Sequence, residues 1–496
     1  MITALLTLPL LAGLASFIIK DDAARRRLLL AAAAGHLALT AALFAARLNP
    51  ALGVPWAAAG EWFGFDELGL LFLGVTSVLF LGASVYSVRY LALEKRDPGE
   101  DADDGFIFNN APEAVFTGCL LLFLSAMTAV TASRHLGILW AAVEATTLLS
   151  APLIYFHRHK RSLEATWKYL LICSVGIALA LMGNLFLGAA GLRTGFGLNL
   201  DALLGGAAQL DKPLLKAAFL FLFVGYGTKM GLAPFHTWLP DAHSEAPAVV
   251  SALLSGALLN CAFLGILRAV QICAGAGLAD FSGGILVLFG LLSLITAGLF
   301  ILGQRDYKRM LAYSSIEHMG ILALGAGLGG RAVYGALLAA VGHSLAKAGL
   351  FFTSGLILAA YRTKRISDVK GLLGRAPRTA ALWLAGFFLI TGTPPSGIFL
   401  GKFLILKEAV ASGKYLVAGV YLLLLGIVFA GMARIFINMA FGNHVPAPDE
   451  KPFYESRGMV APACVFFCCV LALGLYVPAW LDTLISGAQV LIRRGP

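Results

Sequence analysis

Charged and imidazole side chains stand inside apolar segments of this chain, where polar groups are scarce. The set is Glu144, Lys229, His318, His343, Lys347 and Lys402. One charged side chain at the centre of a bilayer costs roughly 2.5–3.5 kcal/mol on insertion scales, and a whole protein is stable by only about 5–15 kcal/mol. A polar contact between helices is an adequate explanation for any single residue. The set offers carboxylate, ammonium and imidazole groups in succession, and it therefore predicts a pathway for protons.

Further polar side chains near this set are candidates for proton uptake or relay. They are Lys168, His236, His243 and Glu317. Hydrogen bonding within a loop is the alternative for the two histidines, and Lys168 is near enough to the end of its segment to extend toward the membrane surface. His343 and Lys347 are four residues apart, which places them on one face of a helix.

Prolines interrupt two of the apolar segments, each beside a lysine. The predicted helix breaks are at Pro234, Pro240, Pro394 and Pro395. Lys229 precedes the first pair and Lys402 follows the second. Backbone groups freed by a break need water or polar partners. Interrupted helices at corresponding places in two halves of a transporter are typical of an ion site.

Composition decides which elements carry these residues. The chain is 59% hydrophobic and 13% charged, with a mean hydropathy of +0.84, whereas soluble domains have about 25% charged residues. The apolar segments are continuous over about 20 residues, which favours helices over a β-barrel. We predict an all-α polytopic membrane protein with about 14 transmembrane helices. The first segment lacks a basic start and a small-residue cleavage site, which favours a span over a signal peptide.

The charge of the connecting segments predicts orientation. Basic segments around residues 20–27, 157–161, 304–309 and 361–378 alternate with less basic ones. Because cytoplasmic loops carry the excess of Lys and Arg, we predict a multi-pass protein of the bacterial inner membrane with both termini on the outer, periplasmic side. The net charge of +10 is explained in this way, and nucleic acid is not an expected partner.

No catalytic residue, cofactor or metal site is predicted. The cysteines lie mostly in apolar segments without a CxxC pair, so an iron–sulfur or zinc site is not expected. A faint internal repeat relates residues 167–176 to residues 346–355, with Lys168 on Lys347. The copies lie about five spans apart, and this odd offset indicates opposite orientations in the membrane.

These motifs are similar to those of a known family. The segments that carry the resemblance are LWAAVEATTLLSAPLIYFHR, GTKMGLAPFHTWLPDAHSEAPAVVSALLSG, LAYSSIEHMGIL, GHSLAKAGLFF and GTPPSGIFLGKF. They resemble the antiporter-like membrane subunits of respiratory complex I, Mrp cation/proton antiporters and group 4 hydrogenases. The match is closest to hydrogenase-4 component F, of the formate hydrogenlyase branch.

The resemblance implies a fold and a set of roles. The fold has 14 helices, with two inverted five-helix repeats whose helices 7 and 12 are broken. The predicted divisions are residues 1–111 (helices 1–3), 112–275 (first repeat), 276–445 (second repeat) and 446–496 (C-terminal helix 14). Glu144 would pair with Lys229 in the first half-channel. His318, His343 and Lys347 would continue the path, and Lys402 would be the output-side group.

Two departures from the family matter. Asn260 stands where some relatives have a lysine in helix 8, and an amide does not exchange protons near neutral pH. The chain also stops near the end of helix 14, without the long lateral helix of one complex I subunit.

We therefore expect a proton-translocating subunit of a redox-driven complex of the hydrogenase-4 or complex I type, with no redox centre of its own. The expected partners are other membrane subunits, a peripheral redox arm and lipid. A Na⁺/H⁺ antiporter subunit of the Mrp type, a non-pumping structural subunit and a standalone proton symporter are the alternatives. If only a titratable group is needed at position 402, Lys402→Glu is expected to be tolerated better than Lys402→Ala.

Overall fold

The computed structural model describes residues 1–48, 58–59, 61–94, 99–100, 107–108, 110–192, 195, 197–442 and 453–493. These residues are predominantly helical. In chain order the helices are α1 (Ile2–Ile18), α2 (Asp22–Leu48), α3 (Glu67–Glu94), α4 (Glu113–Ala132), α5 (Leu136–Ile154), α6 (Lys160–Ala190), α7 (Leu200–Gly205), α8 (Lys212–Met230), α9 (Trp238–Glu245), α10 (Ala248–Leu253), α11 (Leu259–Gly275), α12 (Ala279–Leu302), α13 (Tyr307–Leu328), α14 (Gly330–Tyr361), α15 (Leu372–Arg375), α16 (Pro377–Thr391), α17 (Gly397–Ala411), α18 (Tyr415–Ala440), α19 (Arg457–Leu475) and α20 (Ala479–Arg493).

Shorter elements complete the described chain. Strands β1 (Ala58–Ala59) and β2 (Phe63–Gly64) pair antiparallel, as do β3 (Gly99–Glu100) and β4 (Ile107–Phe108). Single turns of 3₁₀-helix lie at Ala207–Gln209 and Ile366–Asp368, and a π-helical segment at Leu254–Leu258 joins α10 to α11.

The expected membrane architecture is confirmed in its main feature. Within the described ranges, ten helices are long and apolar enough to cross a bilayer, among them α2–α6, α12, α14, α18 and α19. The protein is an all-α, polytopic membrane protein.

Burial divides these helices into a centre and a periphery. The span formed by α10, the π-helical segment and α11 is buried along its whole apolar window, and so is α14. In contrast, about two thirds of the corresponding windows of α2, α6, α12, α18 and α19 face outward, with exposed leucines such as Leu171, Leu299 and Leu423. Polar side chains on α14 are therefore surrounded by protein rather than lipid.

Two helix interruptions lie beside the lysines noted in the sequence. The chain leaves α8 at Gly231, which has a φ of 79°, and it leaves α16 at Gly392, which has a φ of 81°. Both values lie in the left-handed region that glycine adopts without a steric penalty. The chain becomes helical again at α9 and α17. Pro234 falls in the first interruption, and Pro394 and Pro395 fall in the second.

The prediction of a break at Pro240 was wrong. This residue lies in the first turn of α9. The amide groups of a first helical turn have no acceptor within the helix, so proline is compatible with that position.

The C-terminal segment also differs from the expectation. We assigned a single helix to residues 446–496, whereas the structure has two, α19 and α20. Residues 476–478, which belong to no helix or strand, separate them. Helix α20 is amphipathic and packs against α3, α11 and α14.

Candidate functional site

Lys229 is fully buried in the last turn of α8. Its Nζ donates hydrogen bonds to Thr147 Oγ1 at 2.8 Å and to the Tyr169 hydroxyl at 2.6 Å. The ammonium also lies 4.5 Å from the centre of the Tyr169 ring, where the electron-rich face attracts a cation. Hydroxyls from α5 and α6 therefore solvate this charge in place of water.

Glu144 lies on α5, one turn before Thr147, and is half-buried. Its Oε1 accepts a hydrogen bond from Ser174 Oγ at 2.7 Å, and its Oε2 has no protein partner among the described residues. No described carboxylate lies within ion-pair distance of Lys229. The predicted direct pair of Glu144 with Lys229 is therefore not formed in this structure: hydroxyl groups hold the Lys229 ammonium, and a serine hydroxyl holds one oxygen of Glu144.

A carboxylate–lysine pair does form in the second half of the chain. Glu317 on α13 and Lys402 on α17 are both buried, with 3.0 Å between Glu317 Oε1 and Lys402 Nζ. Lys402 also donates to the carbonyl of Thr391, 3.1 Å away at the end of α16. The other carboxylate oxygen, Oε2, lies 3.4 Å from Nδ1 of His318.

The two predicted histidines of this region meet face to face. The ring centres of His318 and His343 are 4.6 Å apart, with planes inclined by 29°. His318 Nδ1 donates to the carbonyl of Ser314 at 2.9 Å. Lys347 donates to the hydroxyl of the same serine and to the carbonyl of Leu311. Ser314 therefore links the lysine to the histidine pair.

His243 lies between the surroundings of Lys229 and helix α14. Its ring stacks on Phe351 at 5.3 Å and lies 6.5 Å from the ring of Trp238. The indole of Trp238 is in turn 5.0 Å from Tyr169, the partner of Lys229. Phe351 follows Lys347 by one turn of α14. The ring nitrogens of His243 have no protein partner among the described residues. This aromatic row connects the Lys229 site to α14.

His236 is buried and Lys168 is not, but both contact residues outside the predicted proton path. His236 lies in the first interruption, with its ring 6.3 Å from that of Tyr313. Lys168 is half-exposed and forms ion pairs with Glu164 at 2.6 Å and with Asp241 at 3.0 Å. Lys168 is thus occupied at the surface.

Asn260 follows the π-helical segment at the start of α11. Its Nδ2 donates to Ser344 Oγ at 2.8 Å and to the carbonyl of Gly256 at 2.9 Å. The amide thereby ties α11 to α14 one residue from His343. Single-turn π-helical segments are frequent at functional sites, and no sequence pattern in this span predicted one.

A further buried histidine, His36, was missed in the sequence. It lies on α2, with Nε2 2.9 Å from Thr128 Oγ1 and Nδ1 2.9 Å from Ser77 Oγ. The signal that could have found it was a lone imidazole within an apolar segment. Both of its nitrogens are satisfied, which is typical of a structural contact between helices.

The buried ionisable groups from Glu144 to Lys402 fall in the part of the chain that matches a known family model. The model described as NADH:quinone oxidoreductase/Mrp antiporter, transmembrane, matches residues 133–429. This segment begins before Glu144 and ends after Lys402. The chain belongs to this family. The resemblance stated from the sequence is thereby confirmed.

Individual relatives agree with the family assignment. The chain is 36% identical over 441 residues to the hydrogenase-4 component F homolog of Methylacidiphilum infernorum, covering 88% of this chain and 89% of that protein. It is 32% identical over 445 residues to NADH-quinone oxidoreductase subunit N of Deinococcus radiodurans, covering 88% and 85%.

A solved structure shows the same fold. A chain of the membrane-bound sulfane sulfur reductase, an archaeal respiratory membrane complex, superposes with a TM-score of 0.86 at 19% identity, covering 100% of this chain and 98% of that one. This likeness concerns the fold of the chain, over its whole length.

Proposed function

We propose that this chain is a proton-translocating subunit of a redox-driven membrane complex. The observation that carries this proposal is the series of buried ionisable side chains from Lys229 to Lys402, placed beside two helix interruptions. In the proposed architecture, 14 helices cross the membrane, and two inverted five-helix repeats each hold one half of the proton path.

The first half would work by exchange of partners at Lys229. When Glu144 approaches, its negative charge stabilises the ammonium form of the lysine. When Glu144 returns to Ser174, the ammonium keeps only the hydroxyls of Thr147 and Tyr169. Its proton is then released more readily toward the centre of the molecule. This structure corresponds to the separated arrangement.

The second half would carry the proton from the centre to the exit. His243 lies beside α14 and offers ring nitrogens that no described protein group occupies. Buried groups of this kind usually bond to ordered water. The proposed route continues through Lys347 and the stacked pair of His318 and His343 to Lys402, beside the second interruption.

The relatives suggest the partners and the location. The two relatives are a hydrogenase-4 component F homolog and a subunit of NADH-quinone oxidoreductase. We infer that this chain assembles with other membrane subunits and a peripheral redox arm in the bacterial inner membrane. The alternation of basic loops supports a position of both termini on the periplasmic side.

To test this proposal, the intact complex is purified in mild detergent and reconstituted into sealed vesicles. The acidification of the vesicle interior is then measured during electron transfer. The proposal predicts acidification that an uncoupler abolishes and that does not need Na⁺. Proton movement that requires Na⁺ would favour the Mrp-type alternative. Electron transfer without proton movement, in vesicles shown to be tight, would favour the structural subunit.

A further inference from the structure

Glu317 occupies a position between two groups that can carry positive charge. We propose that Glu317 is the switching carboxylate of the second half of the path, moving between Lys402 and His318 during each proton transfer. This inference rests on the proposed function and gives a defined role to a residue that sequence reasoning treated only as one candidate among several.

The contacts of the two carboxylate oxygens carry the inference. Oε1 forms the ion pair with Lys402 at 3.0 Å, while Oε2 lies 3.4 Å from Nδ1 of His318 and has no hydrogen-bond partner among the described residues. Glu317 is almost completely inaccessible to solvent. A buried carboxylate with one satisfied and one unsatisfied oxygen has two competing partners, and a small rotation exchanges them.

The arrangement repeats that of the first half. Glu144 and Lys229 lie on α5 and α8, and Glu317 and Lys402 lie on α13 and α17. Each lysine is beside an interruption that begins with a left-handed glycine. In the proposed numbering of spans, the second glutamate lies about five spans after the first, and the second lysine lies about five spans after the first lysine. An inverted repeat requires this equal, odd offset. The first pair is separated here and the second is closed.

The charged and titratable groups around Glu317 come from several elements. Lys402 faces it from α17 and His318 from its own helix, α13. Lys347 on α14 and the buried Tyr421 on α18 lie within electrostatic range. His343 on α14 stacks on the His318 ring. Positive charge can therefore reach Glu317 from the side of α14 as well as from α17.

The proposed proton transfer uses only His318, Glu317 and Lys402. A proton that arrives at neutral His318 makes an imidazolium, and the Glu317 carboxylate moves toward it. Lys402 then lacks its counter-charge, so one N–H bond of the ammonium breaks and its proton leaves through the interruption at residues 392–396. The imidazolium next gives its proton to the neutral amine, and Glu317 returns. One proton enters, one leaves, and Glu317 remains a carboxylate throughout.

The experiment compares variants of the whole complex in sealed vesicles, measuring protons moved per electron. Glu317→Gln keeps the shape but removes the charge, and we expect at least a ten-fold loss with the complex assembled. Glu317→Asp keeps the charge, and we expect it to retain at least a third of wild-type translocation. The pH profile of Glu317→Asp should shift relative to wild type, which a purely structural role would not produce.

Charge exchange provides a second, independent measurement. Because Glu317 lies opposite, Lys402→Glu brings two carboxylates together in a buried site. We therefore expect Lys402→Glu to yield less assembled complex than Lys402→Ala. This reverses the expectation from the sequence. Adding Glu317→Lys restores opposite charges, and we expect the double variant to recover at least five-fold more assembled complex than Lys402→Glu alone.

Lys229→Met serves as the reference that separates this inference from the proposed function. Loss of translocation in Lys229→Met but not in Glu317→Gln would overturn the role of Glu317 and leave the function standing. Normal translocation in both would overturn the proposed function. Equal losses in Glu317→Gln and Glu317→Asp, with no recovery in the double variant, would show that Glu317 only holds the fold.

Discussion

Lys229 is held by two hydroxyl groups rather than by a carboxylate, and this contact determines how readily its proton leaves. Hydrogen bonds to a charged group contribute about 1.5–3 kcal/mol each. The hydroxyl of Tyr169 also bonds to Ser150 Oγ at 2.6 Å, which fixes its position. The tyrosine is therefore a positioning residue for the ammonium.

Tyr169→Phe removes this hydroxyl while keeping the ring. We expect protons moved per electron to fall about ten-fold, because a loss of roughly 1.4 kcal/mol or more changes an equilibrium by that factor. Tyr226→Phe is the matched control, since the Tyr226 hydroxyl is buried on the same helix as Lys229 without a protein partner. Equal effects of the two substitutions would contradict the assigned role of Tyr169.

The ionisable residues could be predicted from sequence, but their partners could not. Lysine and glutamate are conspicuous in apolar segments because burying a charge is costly. Thr147, Tyr169 and Ser174 are ordinary residues of a transmembrane helix, and nothing in their spacing shows which ion they contact. Two hydroxyls were sufficient for Lys229, so the expected pair with Glu144 was not required.

Helix interruptions are the elements that distinguish this molecule from a simple bundle. Each begins at a glycine in the left-handed region, Gly231 or Gly392. A Cβ at Gly231 would collide with Leu239, and a Cβ at Gly392 would lie 3.0 Å from Cδ of Lys402. Both steric space and backbone conformation therefore favour glycine here.

Gly231→Ala and Gly392→Ala should each destabilise the protein by about 1–3 kcal/mol, the usual cost of a strained backbone. Thermal unfolding of the purified protein in detergent measures this. Gly188→Ala is the control, because Gly188 lies within α6 and has open space around its Cβ position. We expect no loss there, since alanine favours a helix. A similar loss at all these positions would contradict the argument.

A buried ion pair joins Asp66, the residue before α3, to Arg268 on α11. Arg268 is almost fully buried, and its Nη2 lies 2.8 Å from Asp66 Oδ1. Asp66→Asn leaves the guanidinium without its counter-charge and should lower the free energy of unfolding by about 3–5 kcal/mol. Asp201→Asn removes an exposed partner of Arg134 and should cost about 0–1 kcal/mol. Thermal unfolding distinguishes the two, and equal losses would contradict this ranking.

The ion pair of Asp66 with Arg268 predicts that the stability of the folded protein depends on pH. Burial raises the pKa of the Asp66 carboxyl, but Arg268 and Arg134 outweigh burial and lower this pKa from 3.8 to about 2. Because the folded value lies below the unfolded one, the stabilisation is complete above pH 3.8 and is lost as the pH falls through about 2. The melting temperature of Asp66→Asn should therefore vary less with pH across this range.

Long apolar elements were predictable, and short or amphipathic ones were not. Continuous hydrophobicity marked the spans, and prolines marked two interruptions. Pro240 was misread because proline is equally suited to the first turn of a helix. The residues of the π-helical segment at Leu254–Leu258 are of the same types as those of the helices on either side, so composition does not mark it. Helix α20 was missed because its apolar residues occupy one face rather than a continuous run.

At the scale of the whole molecule, the family and the membrane class followed from sequence, and the charge of the loops predicts the orientation. We predict that the segment around Ser367 faces the cytoplasm and that the segment around Ser412 faces the periplasm. Both side chains are exposed, so Ser367→Cys and Ser412→Cys are conservative probes. A membrane-impermeant maleimide applied to intact spheroplasts should label only Ser412→Cys, with wild-type labelling subtracted for native cysteines. The opposite pattern would invert the proposed topology.

The central claim is that protons cross the membrane through the buried groups that begin at Lys229. The most direct measurement is the number of protons moved per electron by the reconstituted complex with Lys229→Met, compared with Lys414→Met in the exposed connection between α17 and α18. We predict at least a ten-fold loss for Lys229→Met, with the complex assembled, and no change for Lys414→Met. Unchanged proton movement in assembled Lys229→Met complexes would contradict the account.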